Sequence, residues 1–407
     1  MRISINSLQN IAIAYVALWV TSPALGYSTI ARVLAVLAVA GWLFLELLKP
    51  TNLFLRPSIP TILATVFIIY IGVLDYLQLG LGGLIQNFQL FIALFFLYVI
   101  ESRRHSVESF LPILWWILLT LPITYVKTIY TLWFVNGHAM RTVVRSSDAA
   151  LELANSGVGG FGLAYSTVIM VPIIYMLFRS RKELGFKPWQ NFLVFGNLVL
   201  AITLVLSSGF SIAVITMFAT LGSLIILANI TTTRVLFALF LAAILSVGFK
   251  PVLSTSLTAI QPFTQGTNYF IKIRDVLETL EQGEAQGTAS ERVERWRRSA
   301  KLFIENPLLG VWSNRDIGKH SEILDNFAKL GVFFGFLFIY LIFYLPIRYM
   351  GKHPKLDGAA LSIVVCMLAI TFMNSFVATQ GLILFLLFPL AATMVASRVS
   401  RDDEVAA

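Results

Sequence analysis

The chain has 407 residues, of which 57% are hydrophobic and 13% are charged, and its mean hydropathy is +0.81. Soluble globular domains carry about 25% charged residues, so this composition excludes an ordinary soluble protein and predicts an all-α, polytopic membrane protein. The net charge of +9 does not by itself indicate a nucleic-acid partner. Much of the basic excess falls in short loops, where it sets membrane topology and meets anionic lipid.

Apolar windows predict about twelve transmembrane helices, because a helix needs about 20 residues to cross a bilayer. The first window lacks a clear small-residue cleavage site, so we interpret it as a retained span. The turn at Ser207-Ser208-Gly209 leaves open whether it separates two spans or breaks one helix. The predicted spans cover residues 10–26, 29–48, 58–77, 84–100, 109–132, 159–178, 191–206, 211–229, 235–249, 327–347, 359–378 and 381–397.

Lysine and arginine concentrate in alternate short loops, and the positive-inside rule then places both termini in the cytoplasm. Residues 1–249 would hold nine spans, with a basic extracytoplasmic loop at 133–158. Residues 250–326 would form one large extracytoplasmic loop. Residues 327–407 would hold the last three spans and a cytoplasmic tail. A charged insert of that length is too long for a simple connector, which predicts a functional segment.

The loop at 133–158 carries Arg141 and Arg145, four residues apart, so that they share one face of a helical turn. His138 lies three residues before them. A solvated loop with scattered charge is the simpler interpretation. The position of this segment beside the long loop, on the same predicted side of the membrane, favours a functional one.

The long loop predicts two helices, at 268–282 and 291–305, separated by a flexible stretch. The second helix is basic and amphipathic, and Asn306-Pro307 should end it. A helix of this kind also anchors proteins to membrane surfaces, and the two interpretations are compatible. Its predicted apolar face consists of Val293, Trp296, Ala300 and Phe303.

The motifs of common enzyme sites are missing from the sequence. It has no H-E-x-x-H, no G-x-S-x-G, no Walker loop, and only one cysteine, Cys366, so zinc, nucleotide and acyl-transfer sites are not predicted. Arginine remains in quantity, with His138 and His320 as the extracytoplasmic histidines. Guanidinium groups suit diphosphates, and a neutral imidazole can accept the proton of a sugar hydroxyl. Such a scheme needs neither a metal nor another cofactor.

Short motifs of the long loop follow one another in a specific order between two spans. An S-x-R-x-x-x-W motif precedes N-P-L-x-G, and a His-Ser pair then leads into a glycine-containing span. The residues are Ser290, Arg292, Trp296, Asn306, Pro307, Leu308, Gly310, His320, Ser321, Leu324, Ala328, Gly331 and Gly335. This order resembles the O-antigen polymerase and ligase family of bacterial envelope glycosyltransferases.

The resemblance implies a multi-pass enzyme of the bacterial cytoplasmic (inner) membrane that uses an undecaprenyl-diphosphate-linked glycan. Arg292 and His320 are then predicted to be catalytic. Arg141, Arg145 and Arg298 are predicted to bind the substrate diphosphate. Implied partners are membrane lipid, a chain-length regulator and a flippase, but no nucleic acid. The chain departs from the family at Ser207-Ser208-Gly209, where relatives often have Ser-Arg-Gly.

Within the family, a polymerase joins lipid-linked repeat units, whereas a ligase transfers the finished glycan to lipid A core. The motifs do not separate these reactions, and we favour the polymerase because polymerases vary with each polysaccharide. A flippase or other transporter is an alternative, although it should carry more ionisable residues within its spans. A signalling or scaffold protein is another. Side chains of Gln86, Asn87 and Gln89 are predicted to contact sugar or headgroup, or to form interhelical hydrogen bonds.

Overall fold

The structure is a computed structural model, and the residues that it describes are mostly helical and include no strand. Among these residues, eight helices are long and apolar enough to cross a membrane, and three further apolar helices are shorter. The chain is therefore a multi-pass membrane protein. Among the predictions, the span at 235–249 and residues Gln86, Asn87 and Arg145 lie outside the described residues. The described residues are 4–82, 88–104, 106–143, 147–226, 254–255, 257–265, 268–282, 288–313, 316–350 and 354–406.

We number the helices in chain order, leaving the short 3-10 and π segments without numbers. They are α1 (Ile5–Thr21), α2 (Pro23–Tyr27), α3 (Thr29–Leu47), α4 (Ile59–Leu79), α5 (Phe88–Ser102), α6 (Leu111–Phe134), α7 (Ala139–Thr142), α8 (Asp148–Asn155), α9 (Phe161–Arg179), α10 (Pro188–Ser207), α11 (Ser211–Ile226), α12 (Asn268–Gln282), α13 (Thr288–Glu305), α14 (Glu322–Tyr349), α15 (Pro354–Met373), α16 (Ala378–Gly381) and α17 (Phe388–Ala406).

Several predicted span boundaries are wrong by about one helical turn. The first span ends at Thr21 rather than at residue 26, and the tenth begins at Glu322 rather than at residue 327. Two further boundaries have a visible cause. The first span begins at Ile5 rather than at residue 10, because the Ser4 hydroxyl caps the amide of Ser7. The eleventh span ends at Met373 rather than at residue 378. The chain from Asn374 to Val377 is irregular, and the amide of Phe376 bonds to a carboxylate oxygen of Glu322 instead of continuing the helix.

The turn at Ser207-Ser208-Gly209 separates two helices, α10 and α11, rather than breaking one. Gly209 adopts a φ of +70°, a conformation that suits glycine and reverses the chain. The two helices then follow different neighbours: α10 packs against α6 and α9, whereas α11 packs against α9 and α15.

The core of the assembly is formed by α9 and by the segment from α16 to α17, whose side chains are almost all buried. Around them, α9 contacts α10, α11, α15 and α16, and α16 also contacts α5. Helices α3 and α4 lie at the periphery with exposed aliphatic and aromatic side chains, which is the arrangement that lipid contact requires. We call the side that carries α7, α8 and α13 the loop face.

The two predicted helices of the long loop are confirmed, as α12 and α13, and α13 ends at Glu305 directly before Asn306-Pro307. Trp296 packs on Phe372, and Phe303 packs on Phe327, so the apolar side of α13 lies on the helix assembly. Val293, which was assigned to that apolar side, is exposed instead.

Helix α14 is broken at Gly331, where the backbone has a φ of +76°. The chain around Gly310, also at positive φ, lies directly against this break. Added Cβ atoms would approach backbone atoms to 2.4 Å at Gly310 and 2.1 Å at Gly331, so both positions require glycine. Backbone hydrogen bonds from Val311 to Ala328 (2.9 Å) and from Val332 to Pro307 (2.8 Å) join the two segments.

A buried ion pair secures the part of α14 that precedes the break. Lys329 Nζ donates to Asp75 Oδ1 of α4 over 2.9 Å, and the two side chains are 7% and 0% exposed. A charge removed from water needs a close partner, so this pair constrains where the first turns of α14 lie against α4.

Replacement of Lys329 by methionine should destabilise the protein by about 3–5 kcal/mol, because it leaves the Asp75 carboxylate buried without its cation. Asp75→Asn should cost a similar amount. The double variant Asp75→Asn/Lys329→Met should cost clearly less than the sum of the two changes. Unfolding of the detergent-solubilised protein by denaturant measures all three.

The matched control is the exposed pair Lys301–Glu305, whose side chains are 75% and 52% exposed. Lys301→Met should change stability by less than about 1 kcal/mol. Additive effects of the two single changes at Asp75 and Lys329 would show that the pair does not act as one unit.

Candidate functional site

Arg141 extends from the short helix α7 to the turn between α10 and α11. Its Nη2 donates to the carbonyl of Gly209 over 2.6 Å, and its guanidinium lies over the ring of Phe210, 5.9 Å from the centroid. Its Nε is buried and has no hydrogen-bond partner among the described residues. A guanidinium is thus present at the turn where the Ser-Arg-Gly arginine is missing, but it comes from a different loop.

Arg292 lies on the half-buried side of α13. Its Nη1 donates to the carbonyl of Met373, the last residue of α15, over 3.1 Å. The last carbonyls of a helix have no partner within the helix, so this bond has a structural role as a cap. It uses one of the five N–H donors of the guanidinium, and the others remain for additional contacts.

Tyr165 and Asn374 connect these two arginines. Tyr165, on α9, is 2% exposed, and the positive charges of both Arg292 and Arg141 act on its hydroxyl, which also faces the side chain of Asn374. Asn374 is 4% exposed, and its side chain bonds to the Tyr165 hydroxyl. Buried donors are almost always paired, so the unpaired Nε–H group of Arg141 fits an anionic ligand.

His320 lies on the loop that leads into α14, two residues before the helix begins. It is half-buried, and its neighbours carry charges of both signs. Burial and the positive charges of Arg295 and Arg292 lower the pKa of His320, and the weaker influence of Asp325 and Glu291 opposes them. The imidazole is therefore neutral near pH 7 and can accept a proton. We call Arg141, Tyr165, Arg292, Arg295, His320 and Asn374 the basic cluster.

The loop that carries His320 is fixed by Asp325. Its Oδ1 accepts from the Ser299 hydroxyl of α13 (2.5 Å), and its Oδ2 accepts from the amide of Ser321 (3.1 Å). The amide of Gly318 donates to Ser299 Oγ over 2.9 Å. An added Cβ at Gly318 would lie 2.3 Å from the carbonyl oxygen of Arg295, so only glycine allows this close approach to α13.

The other predicted site residues are more scattered. Arg298 is on α13 but is exposed, and it does not share the half-buried side with Arg292. His138, at the start of α7, is also exposed. Gln89 accepts a hydrogen bond from the amide of Ala378 (3.2 Å), which is the interhelical contact that was one of its two predicted roles. The roles of Arg298 and Arg145 stay predictions.

The sequence did not identify Tyr165, Asn374, Ser299 or Asp325 as parts of this site. Tyr165 and Asn374 were placed within predicted spans, where nothing distinguishes them from packing residues. Asp325 follows the His-Ser motif by four residues, and that spacing on a helix start was the only available signal. The described residues contain no group of three or more His, Cys, Asp or Glu that could hold a metal ion.

Comparison with known proteins adds no relative: neither the protein-family models nor the curated proteins match this chain. The resemblance to the O-antigen polymerase and ligase family therefore depends on the motifs of the long loop.

Replacement of Asp325 by alanine should loosen the His320 loop, because Ser321 N and Ser299 Oγ lose their acceptor. We expect the amides of Gly318 and Ser321 to exchange with deuterium about 5–150-fold faster, the equivalent of losing one buried hydrogen bond of about 1–3 kcal/mol. Asp316→Ala, at an exposed carboxylate of the same loop, is the control. Unchanged exchange at both amides in Asp325→Ala would contradict this role.

Proposed function

We propose that this chain is a metal-independent glycosyltransferase that polymerises polyprenyl-diphosphate-linked repeat units of a bacterial surface polysaccharide. The observation that carries the proposal is the basic cluster, in which the buried Nε–H donor of Arg141 is unpaired among the described residues. The positive charges of Arg141 and Arg292 both act on the hydroxyl of Tyr165. The motif order of the long loop supports the same reaction class.

The proposed location is the cytoplasmic membrane with the loop face outside. The distribution of Lys and Arg between alternate short loops supports this orientation. Outside the cytoplasm there is no ATP, so an activated sugar must arrive on a carrier. A polyprenyl diphosphate supplies the leaving group and can reach the basic cluster from the lipid.

In the proposed reaction, a hydroxyl oxygen of the acceptor sugar attacks the anomeric carbon of the donor glycan. The bond between that carbon and the diphosphate oxygen breaks, and its electron pair stays on the diphosphate. The hydroxyl proton moves to the neutral imidazole of His320, which later releases it to water. Arg141 and Arg292 stabilise the charge that grows on the diphosphate, and their contacts to Gly209 and Met373 hold them in place beforehand.

A transporter explains these observations less well. The buried charges that the described spans contain lie near helix ends and are paired: Glu46 with Lys49, Asp75 with Lys329, and Glu101 with Arg348 over 2.7 Å. Transporters carry ionisable groups along a pathway through the membrane. Transport also gives no reason for two guanidinium groups and an imidazole from three separate segments to share one site.

Cells that lack this protein should make no polymer and should carry single repeat units on the lipid A core. The parent and Arg297→Ala, at an exposed arginine of α13, should restore polymer. Arg292→Ala should lower the rate on the order of 10²–10³-fold, as for other preorganised donors to a developing anion. Arg292→Lys should not restore it fully, because lysine lacks the bidentate fork. Electrophoresis of the extracted polysaccharide measures these outcomes.

Normal polymer from Arg292→Ala, at an amount of protein equal to the parent, would contradict the role of this arginine. Polymer that accumulates on the carrier and is absent from the core would assign the chain as a ligase instead.

His320→Gln should bind lipid-linked substrate like the parent but turn it over about 10²–10⁴-fold more slowly, because glutamine cannot act as a base. Protonation removes the base, so activity of the parent should fall as pH drops through the pKa of His320. Burial and the charges of Arg295 and Arg292 place this pKa below its ordinary value of 6.5, so the acid limb should lie below pH 6.5. A pH–rate profile of the purified enzyme measures it.

The control for this change is His138→Gln, at the exposed histidine of the loop face, which should leave turnover unchanged. Near-parental turnover by His320→Gln, or an acid limb that persists in that variant, would show that His320 is not the base.

A further inference from the structure

A cavity opens on the loop face, beside the basic cluster. Its volume is about 440 Å³, and it lies between the end of α1, the short helix α2, the first turn of α9 and the chain before α16. We call it the α2 cavity. None of the basic-cluster residues lines it, so the cavity takes no part in the steps proposed above.

The α2 cavity combines aromatic and polar groups without an acidic side chain among its described lining residues. Its lining includes the aromatic residues Tyr27 and Phe161 and the polar residues Ser22 and Arg32. Arg32 is exposed, and its hydrogen bond to the carbonyl of Gly26 is 3.5 Å long. Sugars suit such a lining, because their C–H faces pack on aromatic rings while their hydroxyls bond to guanidinium and backbone groups.

The walls of the cavity are held in place by hydrogen bonds between distant segments. The Tyr27 hydroxyl donates to the carbonyl of Val143 (3.2 Å), and the Thr379 hydroxyl donates to the carbonyl of Val20 (3.3 Å). The amide of Gly159 donates to the Thr128 hydroxyl over 3.0 Å. A site whose walls are already fixed loses little conformational entropy when it binds a ligand.

One wall separates the α2 cavity from the basic cluster. Phe161 lines the cavity, and its ring packs on Tyr165 (4.7 Å between centroids) and on Phe210 (6.3 Å), the ring beneath Arg141. Val143 also lines the cavity and follows Arg141 by two residues. A ligand in the cavity would therefore lie next to a diphosphate held by the cluster.

We infer that the α2 cavity binds the sugars of the acceptor glycan. A transferase that joins two glycans needs a second subsite close to the leaving group, and this cavity has the size, the chemistry and the position. The role of the bound sugar as acceptor rests on the proposed function. The binding of carbohydrate in the cavity does not.

Two substitutions test the cavity. Gly26→Leu places a side chain in it, and the added Cβ has room because the nearest atom, the Trp19 carbonyl oxygen, is 3.9 Å away. Its control is Gly41→Leu on α3, where no atom lies within 4 Å of the added Cβ. Arg32→Gln removes the charge from the cavity. Its control is Arg56→Gln, at an exposed arginine outside the cavity.

The probe is the lipid-free repeat oligosaccharide, cut from the surface polysaccharide of the cells that make this protein. Calorimetric titration should show that Gly26→Leu and Arg32→Gln each weaken its binding roughly tenfold or more, as expected for loss of a charged hydrogen bond or of the space itself. With lipid-linked donor held constant, both variants should raise KM for this acceptor and keep most of kcat. The two controls should match the parent in both measurements.

Binding of the oligosaccharide to Gly26→Leu with parental affinity would overturn the inference, and so would a change only in KM for the donor. If the parent binds the oligosaccharide in the cavity but transfers no sugar, the proposed function is wrong and the cavity is still a carbohydrate site. If the parent makes polymer and both variants keep the parental KM for the acceptor, the proposed function stands and the inference about the cavity is wrong.

Discussion

A backbone group within a bilayer must find a partner inside the protein, and two places where the described helices break or end show such partners. At Gly331 the break in α14 is satisfied by the segment around Gly310, whose amides and carbonyls pair with those on either side of the break. At Met373 the end of α15 is satisfied by the guanidinium of Arg292. Both interruptions lie on the loop face, and they bring α13, α14 and α15 together there.

This constraint explains why the basic cluster forms at that place. A helix end needs donors for its carbonyls, and arginine supplies several at once, so Arg292 can cap α15 and still present N–H groups to a ligand. Arg141 likewise donates a hydrogen bond to the carbonyl of Gly209, in the turn between α10 and α11. The structural contact and the proposed catalytic role of each arginine are therefore linked, because the contact holds the charge in position before any ligand arrives.

Much of the architecture could be predicted because hydrophobic length and amphipathic spacing are local properties of the sequence. The helices at 268–282 and 291–305 and most spans followed from them. Gly331 had been recognised only as part of a motif, and its function as a helix break depends on Gly310, a residue distant in sequence. The end of α15 was missed for the same reason, since Glu322, from another helix, binds the amide of Phe376.

The site was predicted in part. The charge of Arg292 acts on His320 and, with that of Arg141, on Tyr165, whereas Arg298 lies on the exposed side of α13. Tyr165 and Asn374 could not be found from sequence, since a buried tyrosine and asparagine in apolar spans look like packing residues until their neighbours are known. Asp325 acts through Ser299 of another helix, and no spacing within the sequence reveals that contact.

The central claim is that the basic cluster holds a lipid-linked diphosphate, and an experimental structure with undecaprenyl diphosphate tests it most directly. Phosphate oxygens should lie at hydrogen-bond distance, about 2.7–3.2 Å, from guanidinium nitrogens of Arg141 and Arg292. The imidazole of His320 should face the leaving-group side. A diphosphate bound elsewhere, such as on the exposed side of α13, with the cluster unchanged, would contradict the account.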